Sequence, residues 1–521
     1  MKDFDSIIIG SGINSLVAGA LLSRARKKVL IIERSEFFGG CMSTQEVTLP
    51  GFKHDVMAAT FVLFITSPAY AELADELKIH GLEFCHTTKP TAVVRPCGTS
   101  LILSTDHSLN VKSMSELNTN DGIQFSKDIN ELAQNADFLF SILGGSLWTW
   151  KTFKLISKQA WKKGFRGLIN WFGAALIPAR SWLESSYKDE LSQALFAPWV
   201  LHTGLTPESA YSGQMGKVIA FALEAAGAPI VKGGSKEAVS AFRKLIEANG
   251  GTFMASTDAA QIIIKNGKAG GIITNDGKEI HADRVIASVA PGQLYNRLLN
   301  LEHSEDKAAE IRFKHGRGNF QIHYALDGQP EWSNPELNDV ALIHLTDGID
   351  SVSKSCNEAE RGMLPETPTI CVGQPIALDP TRCPTGKSIL WIQIPDAPSV
   401  IKGDAAGLIE CEPNWNDSLT NLFADRVEKI LKSHIKNFSS IKLKRQCYSP
   451  EELSKLNINL VGGDPYGGAC SIEQFFLWRP FNSSINNQTM IKNLYHIGAS
   501  THPGPGLSGG SGFNLAKRLG G

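Results

Sequence analysis

The stretch from Ser6 to Thr44 constrains this chain more than any other. It opens Ser6-Ile7-Ile8-Ile9-Gly10-Ser11-Gly12-Ile13-Asn14-Ser15, crosses a run of small apolar residues, and reaches Val29-Leu30-Ile31-Ile32-Glu33-Arg34. Ile7–Ile9 is a short β-branched run without polar alternation, which predicts a parallel strand covered on both faces. Gly10 and Gly12 let the chain turn tightly and bring backbone N–H groups up to a pyrophosphate, at the start of a helix over about Asn14–Ser23. A second strand follows at Val29–Ile32. Glu33 ends it 23 positions after Gly10, where an acidic side chain accepts the hydroxyls of an adenosine ribose. Ser15 stands at the third glycine position of this pattern, with Gly19 a helical turn later. Serine is small enough to let helix and strand pack closely. Gly39-Gly40 would bring backbone close to the same ligand again. Strand, glycine turn, helix, strand and Glu in register predict a dinucleotide site. NAD and FAD both remain open at this point.

The remaining 477 positions after Thr44 exceed one further core, so two domains or interleaved subdomains are expected from 521 residues. Net charge is −1, with 42% hydrophobic and 20% charged residues. That balance gives no reason to expect nucleic acid as a partner. Nine scattered cysteines without a C-x-x-C pair disfavour metal ribbons and dithiol redox chemistry, and reduced thiols in a cytoplasmic protein are the simplest expectation. The first strand begins at once, which leaves no room for a signal peptide. No apolar run is long enough for a membrane span.

Pro50-Gly51-Phe52-Lys53-His54-Asp55 reads as a turn that either places His54 and Asp55 at a site or uses them to orient a loop. Helical spacing follows at Tyr70–Ile79 and Asp128–Leu143, and strand-like runs at Thr91–Val94 and Ser100–Leu103. Trp148–Trp182 differs in composition. It holds five of the ten tryptophans, together with Lys151, Lys154, Lys158, Lys162, Lys163 and Arg166, and no acidic residue before Glu184. On a helix Lys151, Lys154, Lys158 and Lys162 form one stripe, with Phe153, Ile156, Ala160 and Trp161 on the other side. A helix lying peripherally in a membrane interface has this pattern. So does an amphipathic helix packed on its own domain with a solvated basic face. Both readings stand.

Ala228–Ser235, with Gly233-Gly234, leads into an amphipathic helix, and strands are expected at Gln261–Ile264, Gly271–Thr274 and Ala282–Ser288. This block looks like a return to the nucleotide-binding domain. The region from about Leu301 to Ser454 suits an antiparallel, substrate-facing sheet. Near the C-terminus an apolar strand breaks at Gly498 into a loop with six glycines in fifteen residues, followed by a helix over Phe513–Leu519. Glycine at that density lets backbone amides approach a planar ligand and its polyol chain.

With both ends read, the chain resembles the phytoene-desaturase-like flavoproteins, a branch of the amine-oxidase-type FAD superfamily. Bacterial FAD-dependent oxidoreductases and the pyridine-nucleotide-disulfide-oxidoreductase-domain proteins are similar to it within that branch. The resemblance covers nearly the whole length. It rests on Gly10-Ser11-Gly12 with Glu33, Gly39-Gly40, the Pro50–Asp55 turn, Gly233-Gly234, Ala282–Ser288 and, above all, Leu494–Gly504. It implies an α/β fold: a discontinuous Rossmann-type FAD-binding domain over 1–75, 228–300 and 455–521, with an inserted α+β substrate domain over 76–227 and 301–454, helical across 120–227.

The resemblance also implies roles. Gly10, Gly12 and Ser15 would lie against the pyrophosphate, Glu33 on the ribose, Arg34 beside the adenine, and Ala259 on the adenine through its backbone. Gly39, Gly40 and Cys41 would pass near the pyrophosphate and ribityl chain. Cys41 stands where many relatives carry a basic residue. Gly498 and Ala499 stand where amine oxidases carry an acidic one. Leu507 and Ser508 would offer N–H groups to the flavin. His502, His54 and Arg479 are the polar residues on flavin-side motifs and the catalytic candidates; the other reading is structural, since a polar residue beside a glycine loop often just satisfies backbone groups. The implied activity is an FAD-dependent dehydrogenase or desaturase acting on an apolar small molecule, with a quinone or O₂ as acceptor. An amine-oxidase-type enzyme and a non-catalytic flavin-binding interaction protein are the alternatives. The expected location is the cytoplasm, with a peripheral position on the inner face of a membrane as its variant.

Overall fold

The computed structural model describes residues 2–299 and 305–521. β1 (Phe4–Ile9) and β2 (Val29–Ile32) run parallel, with α1 (Ile13–Arg24) connecting them. Thr252–Met254 extends the parallel set beyond β2. Glu279–Ala287 lies on the other side of β1, and Leu494–His496 lies beyond it. Three distant stretches of chain therefore build one sheet, and the nucleotide-binding domain is discontinuous. The strand expected at Ala282–Ser288 is the second half of a longer one. Its first residues, Glu279–His281, pair antiparallel with the Lys268–Thr274 strand, and Ala282–Ala287 then pair parallel with β1.

Burial explains the patterning. Every residue of α1 from Ile13 to Ser23 is buried. Ile8, Val29 and Ile31 pack with α1 and with Phe242, Leu245 and Ile246 of the Ser235–Ala248 helix, while Ile7, Ile9, Leu30 and Ile32 face Ile262 and Ile272. Each such side chain withdrawn from water stabilises the fold by about 1.5–3 kcal/mol. The close approach of helix to strand falls at Gly19 rather than Ser15: a Cβ there would lie 2.8 Å from Ile31 Cδ1 and 3.2 Å from Ile246 Cδ1. The Gly510–Arg518 helix closes on α1. The Gly512 N–H donates to Asn14 Oδ1 at 3.1 Å, and a Cβ at Gly512 would meet the Asn14 carbonyl at 1.9 Å.

A second sheet runs in the order Lys442–Tyr448, Gly318–Leu326, Ser388–Ala397, Ile370–Gly373, Leu342–Leu345, Thr91–Val94, Ser100–Leu103. It is antiparallel as expected, except that Leu342–Leu345 runs parallel to Thr91–Val94. Its Phe320, Ile322 and Tyr324 pack on Phe423, Val427 and Leu431 of the Asp417–His434 helix. The domain boundary expected between 300 and 301 lies outside the described residues.

The tryptophan-rich segment forms two helices, α2 (Trp150–Lys163) and α3 (Phe165–Ala175), separated by Gly164 at φ +71°, and ends in the Ala179–Ser186 helix, where Trp182 is buried. α2 and α3 each bury one residue, Thr152 and Leu168 respectively. Among the described residues no helix is long and apolar enough to cross a membrane.

Candidate functional site

One cavity of about 510 Å³ joins the two sheets, within the roughly 300–1,000 Å³ usual for small-molecule and cofactor sites. Its floor is the β1–α1 turn. Gly10 has φ +89°, and a Cβ there would lie 2.9 Å from the Ser288 carbonyl oxygen. At Gly12, by contrast, an added Cβ meets nothing within 4 Å. Gly10 thus serves the turn, while Gly12 leaves open space at the mouth of α1. No side chain caps that helix end, and no acidic residue sits in its first turn. Free N–H groups and the positive end of the helix dipole are what a pyrophosphate requires.

Glu33 closes the nucleotide end and is buried. Its Oε2 accepts from the Ser11 N–H at 3.0 Å and from the Ser11 hydroxyl at 2.7 Å, and its Oε1 accepts from the Ser35 N–H at 3.0 Å. The Gly39 N–H in turn donates to Ser11 Oγ. Arg34 lines the cavity beside Asp258. Ala259 lines it too, but its carbonyl accepts from Arg297 Nη1 at 2.8 Å, and the same guanidinium holds Asp258. Cys41 lies on the wall. The Asn457 amide donates to its sulfur, and burial pushes the thiol up to about 11.

Gly39, Gly40, Gly498, Ala499 and Leu507 also border the cavity, whereas Ser15 and Ser508 do not. The Ser15 side chain is enclosed in the core, and the Ser508 hydroxyl accepts from the Gly510 N–H.

The opposite wall comes from the second sheet. Asn319 and Gln321 alternate with the inward Phe320 and Ile322, so they reach the cavity from the other face of the same strand. Gln321 pairs in register with Gln393, Gln393 with Cys371, and Cys371 with His344. A polar row thus crosses the sheet. It ends under His202, whose Nε2 is 2.9 Å from His344 Nε2 and which itself lines the cavity. Burial pushes His202 down to about 4, so it is neutral at ordinary pH. Asn319 Oδ1 and Gln321 Oε1 are buried without a hydrogen-bond partner. Tyr466 lines the cavity with its hydroxyl already given to the Leu201 carbonyl.

None of the three catalytic candidates lines this cavity. His54 Nε2 is 2.8 Å from Thr48 Oγ1, its ring meets His323 edge to face, and burial holds it down at about 2. Its neighbour Asp55 is structural: it accepts from Thr44 Oγ1, the Ser235 N–H and Arg382. Arg479 is buried and spends its donors on the carbonyls of Ala499, Tyr466, Ala469 and Gln474. It braces the glycine loop from behind. His502 Nε2 donates to the Gly145 carbonyl at 2.8 Å, and burial pushes its ring down to about 4.

Ser11, Arg297, Asn319, Gln321, Gln393 and Tyr466 were not singled out by the sequence. The signal for Asn319 and Gln321 was present, in the strict alternation Asn319-Phe320-Gln321-Ile322-His323-Tyr324. Gln393 and Arg297 carried none.

A model of the NAD(P)-binding Rossmann-like domain matches residues 8–77. Pyridine nucleotide-disulfide oxidoreductase domain-containing protein 2 of Rattus norvegicus is 25% identical, over 99% of this chain and 93% of that one. One of the limonene dehydrogenase subunits of Castellaniella defragrans is 25% identical over 100% and 95% of the two chains. A phytoene desaturase of Fusarium fujikuroi is 24% identical over 96% and 86%. The crystal structure of an oxidoreductase from Methanosarcina mazei superposes with a TM-score of 0.61, covering 100% of both chains at 17% identity, a likeness of fold. With its discontinuous Rossmann domain and the inserted α+β domain, this chain is homologous to the pyridine-nucleotide-disulfide-oxidoreductase-domain proteins and the phytoene desaturases.

Proposed function

We propose that the cavity binds FAD and that the protein is a dehydrogenase or desaturase, taking a hydride from a C–H bond of an apolar small molecule and passing electrons to a quinone or O₂. One observation carries this reading. A single cavity runs from Glu33 and Asp258, past the open mouth of α1, to the Gly498–Leu507 loop and the amide-lined sheet. The residues fit the cofactor. Gly12 faces empty space at a helix end that no side chain caps, and Asn319 and Gln321 leave buried oxygens without donors at the sheet end for a substrate.

Gly10, Gly12, Gly39 and Gly40 would hold the pyrophosphate, Glu33 the ribose with Ser11 behind it, and Arg34 and Ala259 the adenine. Gly498, Ala499 and Leu507 would line the flavin end, with Ser508 behind them. When bound, flavin supplies the two-electron acceptor for the C–H bond.

The chain supplies position and dryness. His202 is a neutral, weak base, Cys41 keeps its proton, and the Tyr466 hydroxyl is engaged. Hydride removal from an unactivated C–H bond leaves an adjacent proton acidic enough for a weak base or solvent to take, so weak bases at the sheet end suit it better than chemistry that begins with deprotonation. Asn319, Gln321 and Gln393 would receive whatever single polar group the substrate carries. The relatives named for limonene and phytoene support an apolar substrate. The aromatic residues on the cavity wall, Phe37 and Tyr466, stand at its nucleotide and sheet ends, so no facing aromatic pair supports the amine-oxidase alternative among the described residues.

Anaerobic mixing of the flavin-loaded protein with terpene-like alkenes and with primary amines, followed by flavin absorbance, tests this reading. Bleaching by alkenes alone is expected. Bleaching by amines alone would replace the proposal with the amine-oxidase one.

A further inference from the structure

The α2–α3 pair concentrates large apolar side chains that point outward. On α2, Trp150, Phe153 and Trp161 are exposed, Trp161 to 93% of its surface. On α3 the stripe Phe165, Ile169, Phe172 and Leu176 is exposed, Phe165 to 75%. These positions follow i, i+4, i+7, i+11 spacing, so they share one helical face. Trp150 and Phe153 stack on each other, and Lys154 Nζ lies over the Trp150 ring. The sequence allowed an ordinary packed helix, with aromatics inside and lysines out. Here both sets are outside, and each of these aromatics keeps 40% or more of its surface exposed.

Charge identifies the occupant. Lys151, Lys154, Lys158, Lys162, Lys163 and Arg166 border the patch, and no acidic residue occurs between Asp137 and Glu184. An aromatic patch set among lysines and free of carboxylates matches the headgroup layer of an anionic bilayer.

We infer that α2 and α3 seat in the surface of an anionic membrane, with Trp161 and Phe165 deepest and the lysines at the phosphates. The pair is rooted beside the glycine loop that borders the cavity. Just before α2, the Gly144 carbonyl accepts from Asn514 Nδ2, the Gly145 carbonyl from His502, and Trp148 exchanges two backbone hydrogen bonds with the Asn486 side chain. His502 is therefore a positioning residue that fastens the membrane-facing segment to the loop bordering the cavity. Resting on the proposed function, this arrangement delivers an apolar substrate from the bilayer.

Sedimentation of the full chain with phosphatidylcholine vesicles, with and without phosphatidylglycerol, tests the docking independently of any flavin chemistry. Binding is expected on anionic vesicles at low salt and release at high salt, alike for flavin-free and flavin-loaded protein. Lys151→Glu/Lys154→Glu/Lys158→Glu should weaken it by about a hundredfold or more. Trp161→Glu/Phe165→Glu, both at exposed positions, should abolish it while leaving flavin content unchanged. Brominated lipid should quench the tryptophan fluorescence of the wild type. Failure to bind anionic vesicles at low salt overturns the inference, as does full binding by the Trp161→Glu/Phe165→Glu variant, or a stable dimer that this variant dissolves. In detergent the variant and the wild type should reduce flavin equally with an alkene, and only the wild type should be faster when that alkene is dissolved in vesicles. Equal rates in vesicles would remove the delivery role and leave the proposed reaction intact.

Discussion

The Ser11 hydroxyl donates to Glu33 Oε2 at 2.7 Å while accepting from the Gly39 N–H at 2.9 Å. The end of β2, the first glycine turn and the Gly39-Gly40 turn are thereby one hydrogen-bonded unit. A carboxylate offers about four acceptor positions, and the N–H groups of Ser11 and Ser35 take two more beside the hydroxyl. Glu33 can receive both ribose hydroxyls only if the Ser11 hydroxyl turns away. Ser11→Ala should therefore destabilise the flavin-free protein by about 1.5–3 kcal/mol, the worth of a charged hydrogen bond, without weakening flavin binding.

Glu33→Ala should lower both quantities, since it strands the Ser11 and Ser35 N–H groups as well as the ribose. Thermal unfolding of the flavin-free protein and fluorescence titration with FAD separate the two effects. Equal losses of affinity in both variants would show that Ser11 contacts the ligand directly.

Arg382 is fully enclosed and binds Asp55 and Asp379, both at 2.9 Å, and the Val231 carbonyl. It ties the turn after Pro50 to the strand that precedes the Gly233-Gly234 turn. Arg382→Met should cost about 3–5 kcal/mol, because two buried carboxylates lose their cation. Chemical denaturation measures it. A loss below about 1 kcal/mol would mean that water replaces the guanidinium there.

Stability should fall as pH drops from about 6.5 to 4. His202, His323, His496 and His502 are pushed down to about 4, and His54 to about 2, each chiefly by burial. In that window the unfolded chain binds protons that the folded chain refuses, so each histidine contributes a slope of about 1.4 kcal/mol per pH unit, with stability rising as pH rises. Asp396, pushed up to about 6 by burial, works in the opposite sense and offsets about one of them. The carboxylates held below their ordinary range act only at lower pH. Unfolding midpoints at several pH values between 7 and 4 check this, and a flat profile would mean that the rings are solvated.

His54→Gln keeps a partner for Thr48 and should leave turnover nearly unchanged. Arg479→Lys should lower stability and flavin retention together, because one ammonium cannot reach the four carbonyls that the guanidinium spans. A loss of more than about a thousandfold in turnover for His54→Gln, with flavin still bound, would return it to the catalytic role.

The nucleotide half of the site was legible because its signals are local. A βαβ unit places Gly10, Gly12 and Glu33 by spacing alone, and the strand bounds at Val29–Ile32 and Thr91–Val94 agree with the structure to the residue. Ser11 escaped notice because its role depends on Glu33, 22 positions away, turning back toward it. The substrate wall was less legible, since Gln321 and Gln393 meet only through strand register, and His202 reaches the same row through His344 from the short Ala197–Thr203 helix. His502 and Arg479 were catalytic candidates for being polar beside a glycine loop, and a structural role was the other reading of the same setting. Burial shows what that setting required, namely donors for carbonyls that no water reaches. The outward tryptophans followed the same logic in reverse, because helical periodicity marks a face without saying whether protein or lipid covers it.

The most direct test of the account is the cofactor itself. The purified protein should be yellow, with a flavin absorption spectrum, and acid precipitation should leave a colourless pellet and release FAD into the supernatant. A protein that is colourless as purified and takes up no FAD on reconstitution would contradict the assignment of the cavity, and with it the proposed reaction.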